Sequence, residues 1–71
     1  MRQRVLGSSH VEWIEWDPGS RVLQVEYRGG RLYRYEGVDY ETWSGLMRAP
    51  SKGSFLRRVV HPKFAGQAVA G

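Results

Sequence analysis

Apolar and polar residues alternate along residues 9–36, and after residue 37 the apolar residues recur every three or four positions instead. In the clearest run, Leu23, Val25 and Tyr27 alternate with polar side chains, the period of two that is typical of a half-buried strand. Turn sequences, Asp17-Pro18-Gly19-Ser20 and Gly29-Gly30, lie on either side of this run. The pattern predicts three antiparallel strands, at residues 9–16, 21–28 and 31–36.

The helical spacing continues through two segments, each with a capping residue before it and a proline after it. Asp39 can cap the first helix by accepting a hydrogen bond from an early backbone N–H, and Pro50 stops that helix. Ser51 can cap the second helix, which His61-Pro62 ends. We predict an α+β fold, a three-stranded antiparallel meander followed by two short helices packed on one face.

The second hairpin allows two registers, which place its tyrosines on opposite faces of the sheet. A two-residue Gly29-Gly30 loop puts Tyr33 and Tyr35 on the arginine-bearing face, where the rings could stack on unpaired bases. A bulge at Gly30 instead places Val25 opposite Tyr33 and Leu23 opposite Tyr35, which makes both rings part of the core. We predict the bulged register because it separates apolar and polar side chains more cleanly.

The first hairpin places a second set of apolar residues on the outer face of the sheet. A four-residue turn pairs Ile14 with Leu23 on the core side. Val11 and Trp13 then lie on the outer face near Leu32. An apolar patch on an otherwise charged surface often marks an interface, so these three residues form a candidate self-association surface.

Composition narrows the classes of function. The 71 residues allow one domain, and the absence of cysteine excludes disulfides and thiolate metal sites. Two histidines are too few for a structural zinc site, so we expect no metal ion and no cofactor. No apolar run approaches the roughly 20 residues of a membrane span, and the first residues lack the apolar core of a signal peptide. We therefore expect a cytoplasmic protein with no membrane partner.

The charge is distributed unevenly along the chain. Residues 1–41 carry a net charge of −1, whereas residues 42–71 carry +5 and no acidic residue. A basic segment beside a nearly neutral body indicates an anionic partner. The alternative is that the charges serve solubility alone.

Several short motifs resemble the KTSC domain, which is named for its occurrence at the C-terminus of some lysyl-tRNA synthetases and also exists as a free-standing small protein. The motifs are Ser8-Ser9, Trp16-Asp17-Pro18, Leu23-Gln24-Val25, Tyr33-Arg34-Tyr35 and Ala49-Pro50-Ser51-Lys52-Gly53, in that order. The resemblance covers residues 7–64, so we expect one domain there, with residues 1–6 and 65–71 as flexible ends. It implies RNA binding and no particular chemistry.

Two groups of residues are candidate chemical sites. Ser8, Ser9, His10 and Asp17 are residue types found in hydrolases, but their spacing matches no serine-hydrolase signature, so we expect no catalytic residues. Ser51-Lys52-Gly53 is a candidate phosphate site because a helix N-terminus presents free N–H groups. The alternative is simple helix capping by the Ser51 hydroxyl.

The leading hypothesis is a small non-catalytic module that binds RNA or other single-stranded nucleic acid. No predicted helix is long or basic enough to read the major groove of a duplex. The alternatives are a self-association module, and therefore a homo-oligomer, or a binder of a small anionic ligand such as a nucleotide. The residues assigned to nucleic-acid or anion binding are Arg28, Arg31, Arg34, Arg48, Ser51, Lys52, Gly53, Arg57, Arg58 and Lys63.

Overall fold

Backbone pairing joins the alternating segments into one antiparallel sheet with helices on one side. The computed structural model describes residues 1–5 and 10–69. The strands follow one another in sequence order across the sheet. They are β1 (Arg2–Arg4), β2 (Val11–Asp17), β3 (Val22–Tyr27), β4 (Leu32–Tyr35) and β5 (Gly66–Val69). The α+β class and the three central strands are confirmed.

The two edge strands correct the expectation that both ends of the chain are flexible. Strand β1 pairs with β2, with Arg2 opposite Glu15, and β5 pairs with β4, with Leu32 opposite Val69. The residues of β1 are all exposed and those of β5 nearly all exposed, so neither strand carries the alternation of buried and exposed side chains that predicts a strand. Residues 6–9, 70 and 71 lie outside the described residues, and with them Ser8, Ser9 and the domain boundary expected at residue 7.

The second hairpin adopts the bulged register, as predicted. Strand β3 pairs with β4 so that Leu23 faces Tyr35 and Val25 faces Tyr33. Gly29-Gly30 supplies two successive residues with φ of 94° and 87°. Residues with a Cβ rarely adopt such angles, so this turn depends on glycine at both positions.

The first hairpin differs from the prediction by two residues. Ile14 pairs with Val25 and not with Leu23. The turn begins one residue later than expected, because Asp17 remains in β2 and its backbone oxygen accepts a hydrogen bond from the Arg21 N–H at 2.7 Å. A two-residue shift keeps every side chain on its original face.

A bulge near the start of β2 overturns the predicted position of one residue. Val11 pairs with Tyr27 but Trp13 pairs with Glu26, so Glu12 is an extra residue on this strand. The bulge turns Val11 onto the helix-covered face, where it is fully buried. Val11 therefore belongs to the core and not to the outer patch.

The first helix, α1 (Tyr40–Arg48), begins and ends where the sequence predicts. Asp39 is its N-cap residue, but its carboxylate accepts a hydrogen bond from the Thr42 hydroxyl and not from a backbone N–H. Trp43 and Leu46 are buried against the sheet, whereas Tyr40 is largely exposed.

The second helix is longer than predicted because its middle is a π turn, which is wider than a turn of α-helix. It consists of α2 (Lys52–Phe55), a π turn (Leu56–Val60) and α3 (His61–Lys63), which we call the composite helix. A proline inside an α-helix clashes with the carbonyl four residues earlier. The His61 N–H bonds instead to the carbonyl five residues back, which widens the turn before Pro62 and lets the helix continue to Lys63.

The core lies between the helices and one side of the sheet, which we call the inner face. The Trp16 ring stacks on Trp43, with centroids 5.7 Å apart, and its indole N–H donates to the Val38 carbonyl at 2.9 Å. The composite helix adds buried Leu56 and Val60. The opposite side of the sheet, the outer face, has no helix over it among the described elements. None of the described helices is long and apolar enough to cross a membrane.

Candidate nucleic-acid interface

A cleft of about 910 Å³ separates β1 and the start of β2 from the composite helix. Its volume is within the range of small-ligand sites. Buried Val5 and Leu56 form apolar parts of its wall. Its charged or titratable lining residues include Arg4, His10, Lys52, Arg57 and His61. No carboxylate is found among the lining residues that the structure describes, so this concave surface favours an anion.

Sequence reasoning assigned only part of this lining. It identified Lys52 and Arg57 from the basic segment but missed Arg4, His10 and His61. Arg4 reaches the cleft only because β1 pairs with β2, and no pattern in residues 2–4 predicts that pairing. The position of His61 at the end of an amphipathic helix could have indicated that its side chain lies near the cleft. The predicted helix, however, ends at His61-Pro62, whereas the observed helix continues to Lys63.

The Ser51-Lys52-Gly53 motif has structural contacts of its own. The Ser51 hydroxyl accepts a hydrogen bond from the Ser54 N–H at 3.2 Å, the capping arrangement that was the alternative interpretation. The Lys52 ammonium donates to the carbonyls of Met47 and Ala49, both at 2.8 Å, at the C-terminal end of α1. These bonds hold the Lys52 charge at the edge of the cleft and use two of its three donors.

Arg57 and Arg58 are exposed on the composite helix, and Arg57 lines the cleft. The Arg58 Nε donates to the Ser54 hydroxyl at 3.1 Å, which keeps its guanidinium along the same side of the helix. Lys63 is exposed one helical segment later, with its ammonium 5.7 Å from the Phe64 ring centroid. Arg57 and Arg58 therefore form a short exposed row on the composite helix, and Arg57 places one end of that row at the cleft.

Arg48 belongs to a separate surface. It is exposed in the last turn of α1 and lines a smaller depression, of about 260 Å³, between that helix and β1. The two helices do touch, since a Cβ added to Gly45 would lie 3.0 Å from the Phe55 ring. Arg48 thus extends the basic surface around the helices without entering the cleft.

The arginines of the second hairpin lie apart from the cleft. Arg28 is ion-paired with Glu12 and Arg34 with Glu36, with N–O distances of 3.6 Å in both pairs. Arg31 is exposed at the hairpin turn. None of these three arginines lines the cleft with Lys52 and Arg57, and the carboxylates beside Arg28 and Arg34 weaken the attraction of this region for phosphate.

The tyrosines proposed for base stacking face the core. Tyr35 is fully buried, which excludes it from stacking on a base, and Tyr33 is half-buried with its ring edge-on to Tyr27. The Tyr35 hydroxyl contacts the Tyr27 hydroxyl at 3.3 Å and the His61 Nδ1 at 3.0 Å. Burial, and secondarily the hydrogen bond with Tyr27, raises the pKa of Tyr35 above its ordinary range, so the phenol stays neutral.

The proposed interface on the outer face is reduced to two residues. Trp13 and Leu32 are half-buried there, but Val11 is in the core. The Arg2 guanidinium lies 4.4 Å from the Trp13 ring centroid, and the Arg4 guanidinium lies 5.9 Å from it. Both arginines cover apolar surface that a partner would otherwise contact.

Comparison with known proteins places this fold within a family. The family model of the KTSC domain matches residues 7–64. An uncharacterized protein of Stutzerimonas stutzeri is 36% identical over 63 residues, which cover 89% of each chain. A protein of Tsukamurella paurometabola is 34% identical over 62 residues, 87% of this chain and 92% of its own. The crystal structure of a KTSC domain protein from Yersinia pestis superposes with a TM-score of 0.88 at 34% identity, covering 99% of this chain and 97% of the other.

Proposed function

We propose that this chain, which belongs to the KTSC domain family, is a non-catalytic module that binds single-stranded nucleic acid, with RNA as its preferred ligand. The observation that supports this most directly is the cleft, whose described lining residues include Lys52 and Arg57 of the composite helix and Arg4 of β1 and no carboxylate. Backbone phosphates are the natural ligands of such a surface. The proposal places the protein in the cytoplasm, together with RNA.

A single strand fits the shape of the basic surface better than a duplex does. Arg57 and Arg58 are consecutive residues within the π turn, so the composite helix offers no long basic face to follow the major groove. A flexible strand can instead bend from this exposed row into the cleft. The Tyr27 ring at the cleft wall adds an aromatic surface for a base.

Binding to a fluorescein-labelled oligouridylate, followed by anisotropy, tests the proposal. In the wild type, log affinity should fall linearly with log salt between about 20 and 200 mM potassium chloride. The double variant Arg57→Gln, Arg58→Gln should bind more weakly and flatten the slope by about 1.4, since each phosphate contact to a single strand contributes about 0.7. Both side chains are exposed, so the fold should be retained.

The double variant Arg28→Gln, Arg34→Gln is a matched control because it removes the same charge from two ion-paired arginines. It should change the slope less than the helix variant does. Equal effects of the two variants would mean that net charge alone attracts the strand. Absence of wild-type binding at about 20 mM salt would refute the proposal, because screening is weak at that ionic strength.

A small anionic ligand is a second candidate, favoured by the concave shape of the cleft. A mononucleotide would then raise the melting temperature at constant ionic strength and compete with the oligouridylate. Under the leading proposal, mononucleotides bind far more weakly than the strand, because they reach the cleft but not the exposed row of arginines.

A further inference from the structure

Three side chains on the inner face of the sheet form a hydrogen-bonded chain that reaches the cleft at both ends. Tyr35 is fully buried at its centre. Its hydroxyl contacts the Tyr27 hydroxyl at 3.3 Å on one side and the His61 Nδ1 at 3.0 Å on the other. Tyr27 and His61 both line the cleft, so the two ends of the chain face the same space.

The chain restricts the orientation of the imidazole. Since Nδ1 of His61 is bonded to Tyr35, the ring cannot rotate without breaking that bond, and the opposite nitrogen, Nε2, stays on the side away from Tyr35. When the imidazole is charged, both nitrogens donate, and Tyr35 must accept from Nδ1. Tyr35 then donates to Tyr27, and the Tyr27 hydroxyl is left to donate outside the chain.

We propose that His61 is a ligand-binding residue of the cleft, that Tyr35 positions it, and that phosphate binding there takes up a proton on the imidazole. This inference rests on the proposed function and adds its regulation: the charged imidazole presents a cation and a chain of donors to the phosphate. Histidine is the side chain whose charge changes between about pH 5 and pH 8, so affinity should depend on pH in that range.

The groups around the cleft favour a bound anion beside His61. Among the described residues, the charged or titratable groups are Arg4 from β1, His10 just before β2, Tyr27 from β3, Tyr35 from β4, and Lys52 and Arg57 from the composite helix. The permanently charged members are all cations, so this space favours an anion. A phosphate beside the imidazole stabilises its charged form, so protonation and binding favour each other.

The first experiment measures oligouridylate affinity between about pH 5.5 and 8 at constant ionic strength. Wild-type affinity should rise about tenfold from the upper to the lower pH, as expected for one added charge-assisted contact. In His61→Gln the rise should disappear. Arg21→Gln, which removes one charge from an exposed turn residue that does not line the cleft, should keep it.

The second experiment tests the positioning by Tyr35. Tyr35→Phe removes the hydroxyl that holds Nδ1, so the tenfold pH effect should shrink to about threefold or less. If that variant does not fold, Tyr27→Phe serves in its place, because it removes the other end of the same chain. A purely structural effect would weaken binding equally at all pH values.

The outcomes separate the two proposals. If wild type binds no oligouridylate at any pH, the proposed function fails. If wild type binds with the same affinity across the range, or if His61→Gln keeps the pH effect, the inference about His61 is wrong while nucleic-acid binding stands. In the latter case another group carries the effect, and His10→Gln tests the other imidazole of the cleft.

Discussion

The inner and outer faces of the sheet each receive one tryptophan from β2, and the two rings lie in opposite environments. Trp16 on the inner face is 3% exposed and stacks on Trp43. Trp13 on the outer face is half-buried, with the Arg2 guanidinium 4.4 Å from its ring centroid. The same strand and the same residue type thus give a core anchor on one side and a solvated cation–π contact on the other. The covering layer makes the difference.

The largest expected effect comes from exchanging these two rings for alanine. Trp16→Ala should lower the free energy of unfolding by about 3–5 kcal/mol, because it opens a cavity in the core. Trp13→Ala should cost about 1–2 kcal/mol, from a cation–π contact and part of a half-buried ring. Urea denaturation measures both. Equal losses would mean that the outer face is as tightly covered as the inner one.

Sedimentation of Trp13→Glu examines the outer face further. A wild-type mass that exceeds that of a folded Trp13→Glu would establish self-association through this face. Equal masses would reject it, and the outer face would then serve only as a solvated surface.

A medium effect is expected at the edge of the sheet, where β5 pairs with β4. Gly66 pairs with Tyr35, and a Cβ at Gly66 would lie 2.5 Å from that ring. Gly66→Ala should therefore destabilise the protein by about 1–3 kcal/mol through overpacking. Gly19→Ala is the control, because its Cβ would meet only the Asp17 carboxylate at an ordinary 3.6 Å. Thermal unfolding that ranks Gly19→Ala as the more harmful change would contradict the close approach of β5.

The smallest effect concerns the turn that sets the register of both faces. The Ser20 hydroxyl and the Gly19 N–H donate to the Asp17 carboxylate and lower the pKa of Asp17 from its ordinary 3.8. A carboxyl with a lowered pKa in the folded state stabilises the fold above pH 3.8, and this contribution disappears as the pH falls through the lowered value. In Asp17→Asn, the free energy of unfolding should therefore fall less on acidification than it does in the wild type. Unfolding curves measured from neutral to acidic pH check this, and an unchanged acid limb would contradict it.

Local chemistry explains which parts of the fold could be predicted. The bulged register of the second hairpin followed from the alternation of apolar and polar residues, because a slip of one residue would move Tyr33 and Tyr35 to the charged face; Gly29-Gly30 alone allowed both registers. The bulge that buries Val11 has no such signal, since Glu12 is an ordinary strand residue. The continuation of the composite helix through Pro62 was also not predicted, because the π turn depends on backbone hydrogen bonds that the side-chain pattern does not indicate.

The candidate site was predictable only in part. Arg57 and Lys52 were found because they belong to a basic segment without acids. Arg4 and His61 were not, because they are far apart in the chain and meet only when β1 pairs at the edge and the composite helix crosses the inner face. No local sequence pattern predicts that these two residues line the same cleft.

The sequence by itself determined the α+β class, the three central strands, the first helix, and the basic character of the C-terminal segment. These features follow from periodicity, turn residues and charge, which act between near neighbours. Only the tertiary structure decided the edge strands, the burial of Val11, and the joining of Arg4, Arg57 and His61 around one cleft. The physical reason is that backbone pairing at sheet edges and the packing of helices on a sheet depend on distant segments meeting in space, and that information is spread over the whole chain.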